Sequence, residues 1–126
     1  MASAKNFLKE YEKDLIVATI RKAELETTGE IRVHIDDRCD EKAFDRAVKL
    51  FYHLNIDKTL FKNGVLIYIA AEDRKFAVIG DEAIHQKVDN DFWNSITQKL
   101  HNDFLESNYC KGIVELSALA SNLSQL

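Results

Sequence analysis

One uninterrupted apolar run, Val65-Leu66-Ile67-Tyr68-Ile69-Ala70-Ala71, constrains the fold of this chain more than any other feature. It is rich in residues that favour β-strands, and apolar and polar side chains do not alternate along it. A strand of this kind must be covered on both faces, which requires a layer of helices on each side of its sheet. The run therefore predicts the central strand of an α/β protein.

The rest of the chain supplies two further strands and enough helices for both layers. Residues 31–35 alternate apolar and polar side chains, and residues 75–79 follow the central run so closely that we expect an antiparallel hairpin. Helical spacing of apolar residues predicts helices over about 4–27, 44–54, 81–87, 88–104 and 111–123. The first two strands should run parallel, because a helix connects them. The sequence predicts one domain, residues 1–126, folded as a three-layer α/β/α sandwich with a small mixed β-sheet.

Composition narrows the function without naming it. A net charge of −4 argues against nucleic acid as a partner. No apolar stretch approaches the roughly 18 residues that a membrane span needs, so we expect no direct membrane insertion and a cytoplasmic location. The spacing of Cys39 and Cys110 is not that of a zinc site, and we expect two free thiols.

Sequence motifs for catalysis are absent. The chain has neither a G-x-S-x-G nucleophile elbow nor a glycine-rich phosphate loop. Four histidines are present, and a catalytic Cys–His pair brought together by the fold remains an alternative. The catalytic residues, if there are any, are unknown from the sequence.

Carboxylates near the ends of the predicted strands are the best candidates for chemistry. Asp36, Asp37, Glu72 and Asp73 follow the first two strands, and the carboxyl ends of parallel strands lie at one edge of a sheet. Carboxylates crowded together favour a hard cation such as Ca²⁺ or Mg²⁺. The alternative is that such residues serve as ordinary helix caps and turns, with Asp89 as an N-cap.

Several segments, taken in order, resemble the TPM domain family, which includes a thylakoid-lumen acid phosphatase and many bacterial envelope proteins. They are Thr28-Gly29-Glu30-Ile31-Arg32-Val33, Asn63-Gly64-Val65-Leu66-Ile67-Tyr68-Ile69-Ala70, Asp73-Arg74, Gly80 with Asp89, and Tyr109 with Gly112. The resemblance spans nearly the whole chain. The chain departs from the family pattern at Glu82, Val88 and Ser107-Asn108, where the family has glycine, proline and Gly-Asp.

The resemblance implies the three-layer fold and a divalent-cation site at one end of the sheet. It implies Asp73, Asp81 and Asp89 as metal ligands for Ca²⁺ or Mg²⁺, with Glu30 and Asp36 as the next candidates. Arg74 would position a carboxylate or contact a phosphate, and Asn63 would shape a loop. For some members the resemblance also implies acid phosphatase activity. Relatives occur with LemA-type membrane proteins, which implies such a protein as a partner.

Three functions are compatible with these expectations. The first is a divalent-cation-binding accessory or interaction module. The second is a metal-assisted phosphatase that hydrolyses phosphate monoesters. The third is a partner-binding scaffold without site chemistry, which should expose an apolar patch on its last helix around Val114 and Leu119.

Overall fold

The computed structural model describes residues 8–25, 28–105 and 108–124. Five α-helices and three β-strands make up this part of the chain, together with a 3₁₀ turn at Ile56–Lys58. In chain order they are α1 (Glu10–Leu25), β1 (Ile31–Asp36), α2 (Ala43–His53), β2 (Val65–Ala70), β3 (Lys75–Gly80), α3 (Glu82–His85), α4 (Asn90–Leu105) and α5 (Tyr109–Ser124).

The three strands form one mixed sheet in the order β1-β2-β3. β1 and β2 are parallel, with Ile31 opposite Val65 and Asp36 opposite Ala70. β2 and β3 are antiparallel, and Ala70 lies opposite Lys75. Both predicted strand pairings are therefore confirmed.

Helices cover the sheet on both sides. On one face, Leu66 and Tyr68 of β2 pack with Ala47 and Phe51 of α2. On the other face, Ile67 packs with α4 and α5, and Ile69 packs with α1 and α5. Every residue of β2 is buried. The three-layer α/β/α sandwich predicted from the apolar run is the observed architecture.

Helix α1 begins later than its apolar spacing predicts. The predicted start near residue 4 lies outside the described residues, but Leu8 and Lys9 precede the helix. The Glu12 carboxylate accepts a hydrogen bond from the backbone N–H of Lys9 at 2.9 Å, the contact that closes a helix N-terminus in a capping box. A charged first turn thus decides the boundary.

The ends of the first two helices contrast. Asn55 follows α2 in the left-handed conformation, with φ 60°, which asparagine adopts more readily than most residues. The described part of α1 ends at Leu25, and Gly29, four residues later, does not have a positive φ.

Apolar spacing identifies the helices better than it identifies their buried faces. In α1, Tyr11 and Leu15 are exposed whereas Ile16 is buried. In α2, Phe44 is 61% exposed although it belongs to the helically spaced apolar residues, whereas Leu50 is buried. Where apolar residues are adjacent, only packing against the sheet decides which one points inward.

The expected apolar patch on the last helix does not form. Val114 and Leu119 are half-buried and pack against the core.

The structure also leaves Cys39 and Cys110 as free thiols, as predicted. Within the described part of the chain, no helix has both the length and the apolar character to cross a lipid bilayer.

Candidate functional site

The carboxyl ends of β1 and β2 bring two acidic segments together. The segments are residues 37–41, here called the acidic loop, and the tight turn at residues 71–74 that joins β2 to β3. The N–H of Ala71 donates to the carbonyl of Asp36 at 2.9 Å, and the N–H of Glu72 donates to the carbonyl of Asp37 at 2.8 Å. The backbone therefore holds Asp37, Glu72 and Asp73 at one edge of the sheet.

Side chains then join the acidic loop to the turn. The Asp73 carboxylate accepts a hydrogen bond from the N–H of Cys39 at 2.7 Å. The Lys75 ammonium donates to the carbonyls of Cys39 and Glu41, at 3.0 and 3.2 Å. These contacts fix the loop against the hairpin.

Arg38 supplies a positive charge between two of these carboxylates. Its Nε lies 4.0 Å from Glu72 Oε2 and 4.0 Å from Asp73 Oδ1. Because the Arg38 side chain is 69% exposed and both distances are at the limit of an ion pair, the association is weak. The guanidinium can therefore leave this position at little cost.

Asp36 lies at the same edge, but its carboxylate is already engaged. Asp36 Oδ2 accepts hydrogen bonds from the Tyr68 hydroxyl at 2.7 Å and from Arg46 Nε at 3.2 Å, and Oδ1 lies 2.9 Å from His34 Nε2. Burial by itself would raise the pKa of the Asp36 carboxyl, but these hydrogen bonds outweigh burial and hold that pKa below its usual value. Asp36 is thus an anchor between the strands and α2.

Three of the other predicted residues, Glu30, Asn63 and Asp81, lie at the opposite edge of the sheet. The N–H of Val65 donates to the carbonyl of Glu30, and the N–H of Asp81 donates to the carbonyl of Gly64. Buried Asn63 donates from its side-chain amide to the Thr28 hydroxyl at 2.9 Å. Glu30 also accepts a hydrogen bond from Arg32 at 3.3 Å.

Asp81 and Asp89 both act as helix caps. Asp81 accepts from the N–H of Glu82 at 2.7 Å at the start of α3, and Asp89 accepts from the N–H of Phe92 at 2.9 Å at the start of α4. Capping satisfies backbone donors that have no partner inside the helix. Asp89 is therefore an N-cap, which is the alternative to a metal ligand that its sequence position allows.

The expectation that Asp73, Asp81 and Asp89 converge is therefore corrected. Asp73 precedes β3 and Asp81 follows it, so the two residues lie at opposite ends of a six-residue strand, roughly 20 Å apart at 3.3 Å per residue. Across residues 8–25, 28–105 and 108–124, no three His, Cys, Asp or Glu side chains are arranged so that they could hold a metal ion.

Arg74 occupies the turn beside Asp73 in an unusual backbone conformation. Its φ is 53°, in the left-handed region that non-glycine residues seldom adopt. Its side chain is exposed and forms no ion pair with any residue that the structure describes. An exposed guanidinium at this edge can meet an anion, as the resemblance implies.

Sequence reasoning missed the residues that organise this edge. Arg38, the backbone N–H of Cys39 and Lys75 make the contacts between the acidic loop and the turn. Arg38 lies three residues beyond the first predicted strand and Lys75 begins the third, so their positions at strand ends were a usable signal. A backbone donor such as that of Cys39 leaves no trace in residue type.

Comparisons with known proteins agree with this fold. The model of the TPM domain family matches residues 2–122. The NMR structure of the BA42 protein from the psychrophilic bacterium Bizionia argentinensis is 38% identical, with a TM-score of 0.85, over 98% of this chain and 85% of that chain. The N-terminal domain of the cg2496 protein from Corynebacterium glutamicum shares the fold at 11% identity, with a TM-score of 0.69, over 94% of this chain and 74% of that chain. A comparison with curated proteins finds no match.

Proposed function

This chain belongs to the TPM domain family, and from that membership we propose that it binds a divalent cation, Ca²⁺ before Mg²⁺, as an accessory or interaction module. The observation that carries the proposal is the meeting of the acidic loop with the β2–β3 turn at the carboxyl edge of the sheet. Asp37, Glu72 and Asp73 would supply oxygen ligands, which hard cations prefer.

Binding would require a local rearrangement, because the side chains as they stand do not enclose an ion. Arg38, with a single positive charge, lies beside both Glu72 and Asp73. Neutralising both carboxylates takes two positive charges, which a dication in its place would supply. Its exposed guanidinium would turn into solvent, and the carboxylates would close around the ion. Ca²⁺ suits this change better than Mg²⁺, since it accepts flexible coordination by six to eight oxygens.

A calcium titration tests the proposal. We expect NMR shifts to concentrate in residues 36–41 and 71–75, and the melting temperature to rise with calcium concentration, because an ion bound only by the native state stabilises it. No response at about 10 mM Ca²⁺, tenfold above the dissociation constant of about 1 mM at the weak end of protein calcium sites, would contradict the proposal.

Two matched substitutions locate the site. Asp73→Asn should abolish the calcium response, whereas Asp81→Asn, the same change at the opposite edge, should leave it intact. Arg38→Gln should raise calcium affinity several-fold, since it removes a repelling positive charge from beside the carboxylates. Loss of binding in Asp81→Asn alone would move the site to the other edge and overturn this assignment.

A metal-assisted phosphatase that hydrolyses phosphate monoesters is the second candidate. The observation in its favour is that Arg38 lines the same hollow as Asp37, so a group that can bind phosphate adjoins a group that can bind metal. Turnover of para-nitrophenyl phosphate should then require a dication and Asp73. It should fall in Arg38→Gln, although calcium affinity rises in that variant, and turnover unchanged by Arg38→Gln and Asp73→Asn would point to a contaminant.

The accessory role requires a partner, for which we propose a LemA-type membrane protein. We also propose that the protein is cytoplasmic. The two free thiols support a reducing compartment. Binding of a purified LemA-type protein in detergent, measured with and without Ca²⁺, tests the partner, and cell fractionation tests the location. No binding in either condition would remove this partner.

A further inference from the structure

The long side of the sheet along β1 has no strand beside it. Among the described residues, β1 pairs with β2 alone. The carbonyls of Glu30, just before β1, and of Asp36, at its end, accept hydrogen bonds from the side of β2. Because successive residues of a strand direct their backbone groups to alternate sides, the even-numbered residues of β1 bond to β2. The odd-numbered residues direct their N–H and C=O groups outward, and they are Ile31, Val33 and Ile35.

One of these outward groups already has a partner. The Glu24 carboxylate of α1 accepts a hydrogen bond from the backbone N–H of Ile31, which agrees with the outward direction of that group. No described residue pairs with the outward groups of Val33 and Ile35. Unpaired backbone groups along an edge strand are a template on which another strand can form.

An apolar groove follows the same side of β1. It lies between β1 and α1, has a volume of about 540 Å³ and is here called the α1–β1 groove. Ile16, Val17 and Ile20 of α1 form one wall, and the outward residues of β1 form the other. Val17 is 47% exposed. A strand paired with β1 would place every second side chain in this groove, because opposite residues of paired strands point to the same face of a sheet.

The charges that line the α1–β1 groove leave a basic residue unmatched. Five charged side chains line it, and four of them are engaged. Lys13 forms an ion pair within α1, Arg32 pairs with Glu30 at 3.3 Å, and Glu24 accepts the N–H of Ile31. Arg21, one turn before Glu24, is exposed and forms no ion pair with any described residue. An occupant with an acidic residue at this end would complement the groove.

A second copy of this chain fits the open side of β1 poorly. Antiparallel pairing of two β1 strands, with Val33 opposite its own copy, would place Glu30 of each copy opposite Asp36 of the other. Like charges directly opposite each other destabilise paired strands. A segment from a different protein, with an acidic residue opposite Arg32, avoids this repulsion.

We propose that the α1–β1 groove binds an extended peptide segment of a partner protein, which adds to the sheet as a fourth strand antiparallel to β1. Apolar residues at every second position lie opposite Ile31, Val33 and Ile35, and an acidic residue lies opposite Arg32. In such strand additions, backbone hydrogen bonds supply affinity and the alternate side chains supply specificity. This site is distinct from the carboxyl edge of the sheet and does not depend on metal binding there.

The test uses the peptide acetyl-Val-Thr-Val-Glu-Val-amide as the probe. Its valines match the three outward residues of β1, and its glutamate matches Arg32. NMR should show shifts and slower hydrogen exchange at the amides of Val33 and Ile35, with little change at His34, which already bonds to β2. A control peptide carries an N-methyl group on its central valine, which removes the donor to the carbonyl of Val33. It should bind roughly tenfold more weakly, and equal binding would overturn the proposal.

Hydrogen exchange in the free protein tests whether the open side of β1 is available. The amides of Val33 and Ile35 should exchange faster than that of His34, since only His34 bonds within the sheet. Equally slow exchange at low protein concentration would mean that another part of this chain covers β1. Protection that grows with protein concentration would assign this side of β1 to a second copy. Either result would overturn the proposal.

Variants locate the peptide. Val33→Pro removes an outward N–H but no bond to β2, so it should weaken binding of the probe roughly tenfold. Val17→Arg should do the same by placing a charge in the groove, whereas Leu60→Arg, at an exposed apolar residue outside the groove, should not.

A charge exchange tests the register. Arg32→Glu should weaken binding of the probe and strengthen binding of the same peptide with lysine in place of glutamate. If Val33→Pro does not fold, Val17→Arg and Arg32→Glu still decide, and unchanged binding in both would overturn the proposal.

Discussion

At the scale of single residues, Asp36 has the position of a metal ligand, but its carboxylate instead joins elements of the fold. It meets the criteria for a metal ligand at a strand end, yet Tyr68, Arg46 and His34 surround it. Tyr68 is fully buried, and burial, together with its hydrogen bond to Asp36, raises the pKa of its hydroxyl. The hydroxyl therefore stays protonated and remains a donor to Asp36.

Replacing Asp36 should cost stability in a pH-dependent way. The pKa of Asp36 is lower in the folded state than its unfolded value of about 3.9, so its stabilisation is present above about pH 4 and is lost as pH falls through the folded pKa. We expect Asp36→Asn to lose about 1–3 kcal/mol of unfolding free energy at pH 7 and less at pH 3.

Urea unfolding at both pH values measures this difference. Asp40→Asn, an exposed neighbour in the acidic loop, is the matched control and should change stability little at either pH. A deficit in Asp36→Asn that is as large at pH 3 as at pH 7 would mean that ionisation of Asp36 is not what stabilises the fold.

Gly64 is required by close backbone packing. A Cβ there would lie 2.6 Å from the carbonyl oxygen of Ile56 and 2.7 Å from Ile56 Cγ2. We expect Gly64→Ala to destabilise the protein by about 1–3 kcal/mol or more, because backbone must move. Gly112→Ala should be nearly neutral, since its crowded neighbour is a flexible leucine and alanine favours the helix by about 1 kcal/mol. Thermal unfolding that ranks the two variants in the opposite order would contradict this reading.

At the scale of elements, the starts of α3 and α4 explain why Asp81 and Asp89, two predicted metal ligands, act as helix caps. Asp81 and Asp89 each accept a backbone N–H in the first turn of the helix that follows. Aspartate suits this position for two reasons, since its oxygen replaces the missing acceptor and its charge complements the helix dipole.

Removing the cap of α4 should weaken the protein without affecting the calcium response. Asp89→Ala should cost about 0.5–2 kcal/mol, the usual value of a lost N-cap, whereas Asp89→Ser should recover most of it. Denaturant unfolding and the calcium titration provide the two readouts. A normal stability combined with a lost calcium response would make Asp89 a ligand after all.

At the scale of the whole molecule, β2 is the element on which both helical layers depend. All six of its residues are buried, and it pairs with a strand on each side. Opening its hydrogen bonds therefore requires both layers to separate, which amounts to global unfolding. We expect the amides of β2 to exchange with solvent most slowly, and those of the first turn of α1 much faster. Hydrogen exchange by NMR measures this order, and faster exchange in β2 than in α1 would contradict it.

The sequence by itself determined the central strand, its parallel and antiparallel partners and the layered architecture. Burial on two faces shows in a continuous apolar run, and a short connection between strands forces a hairpin. Those signals are local, so no knowledge of distant contacts was needed. The family pattern was likewise readable, because its segments recur in order along the chain.

Only the tertiary structure decided which carboxylates meet. Asp73 and Asp81 are eight positions apart in sequence, but an antiparallel strand between them sends them to opposite edges of the sheet. Asp73 and Cys39 are 34 positions apart, yet they share a hydrogen bond. Residue types along a chain describe what each side chain can do, whereas the path of the backbone decides which side chains can act together.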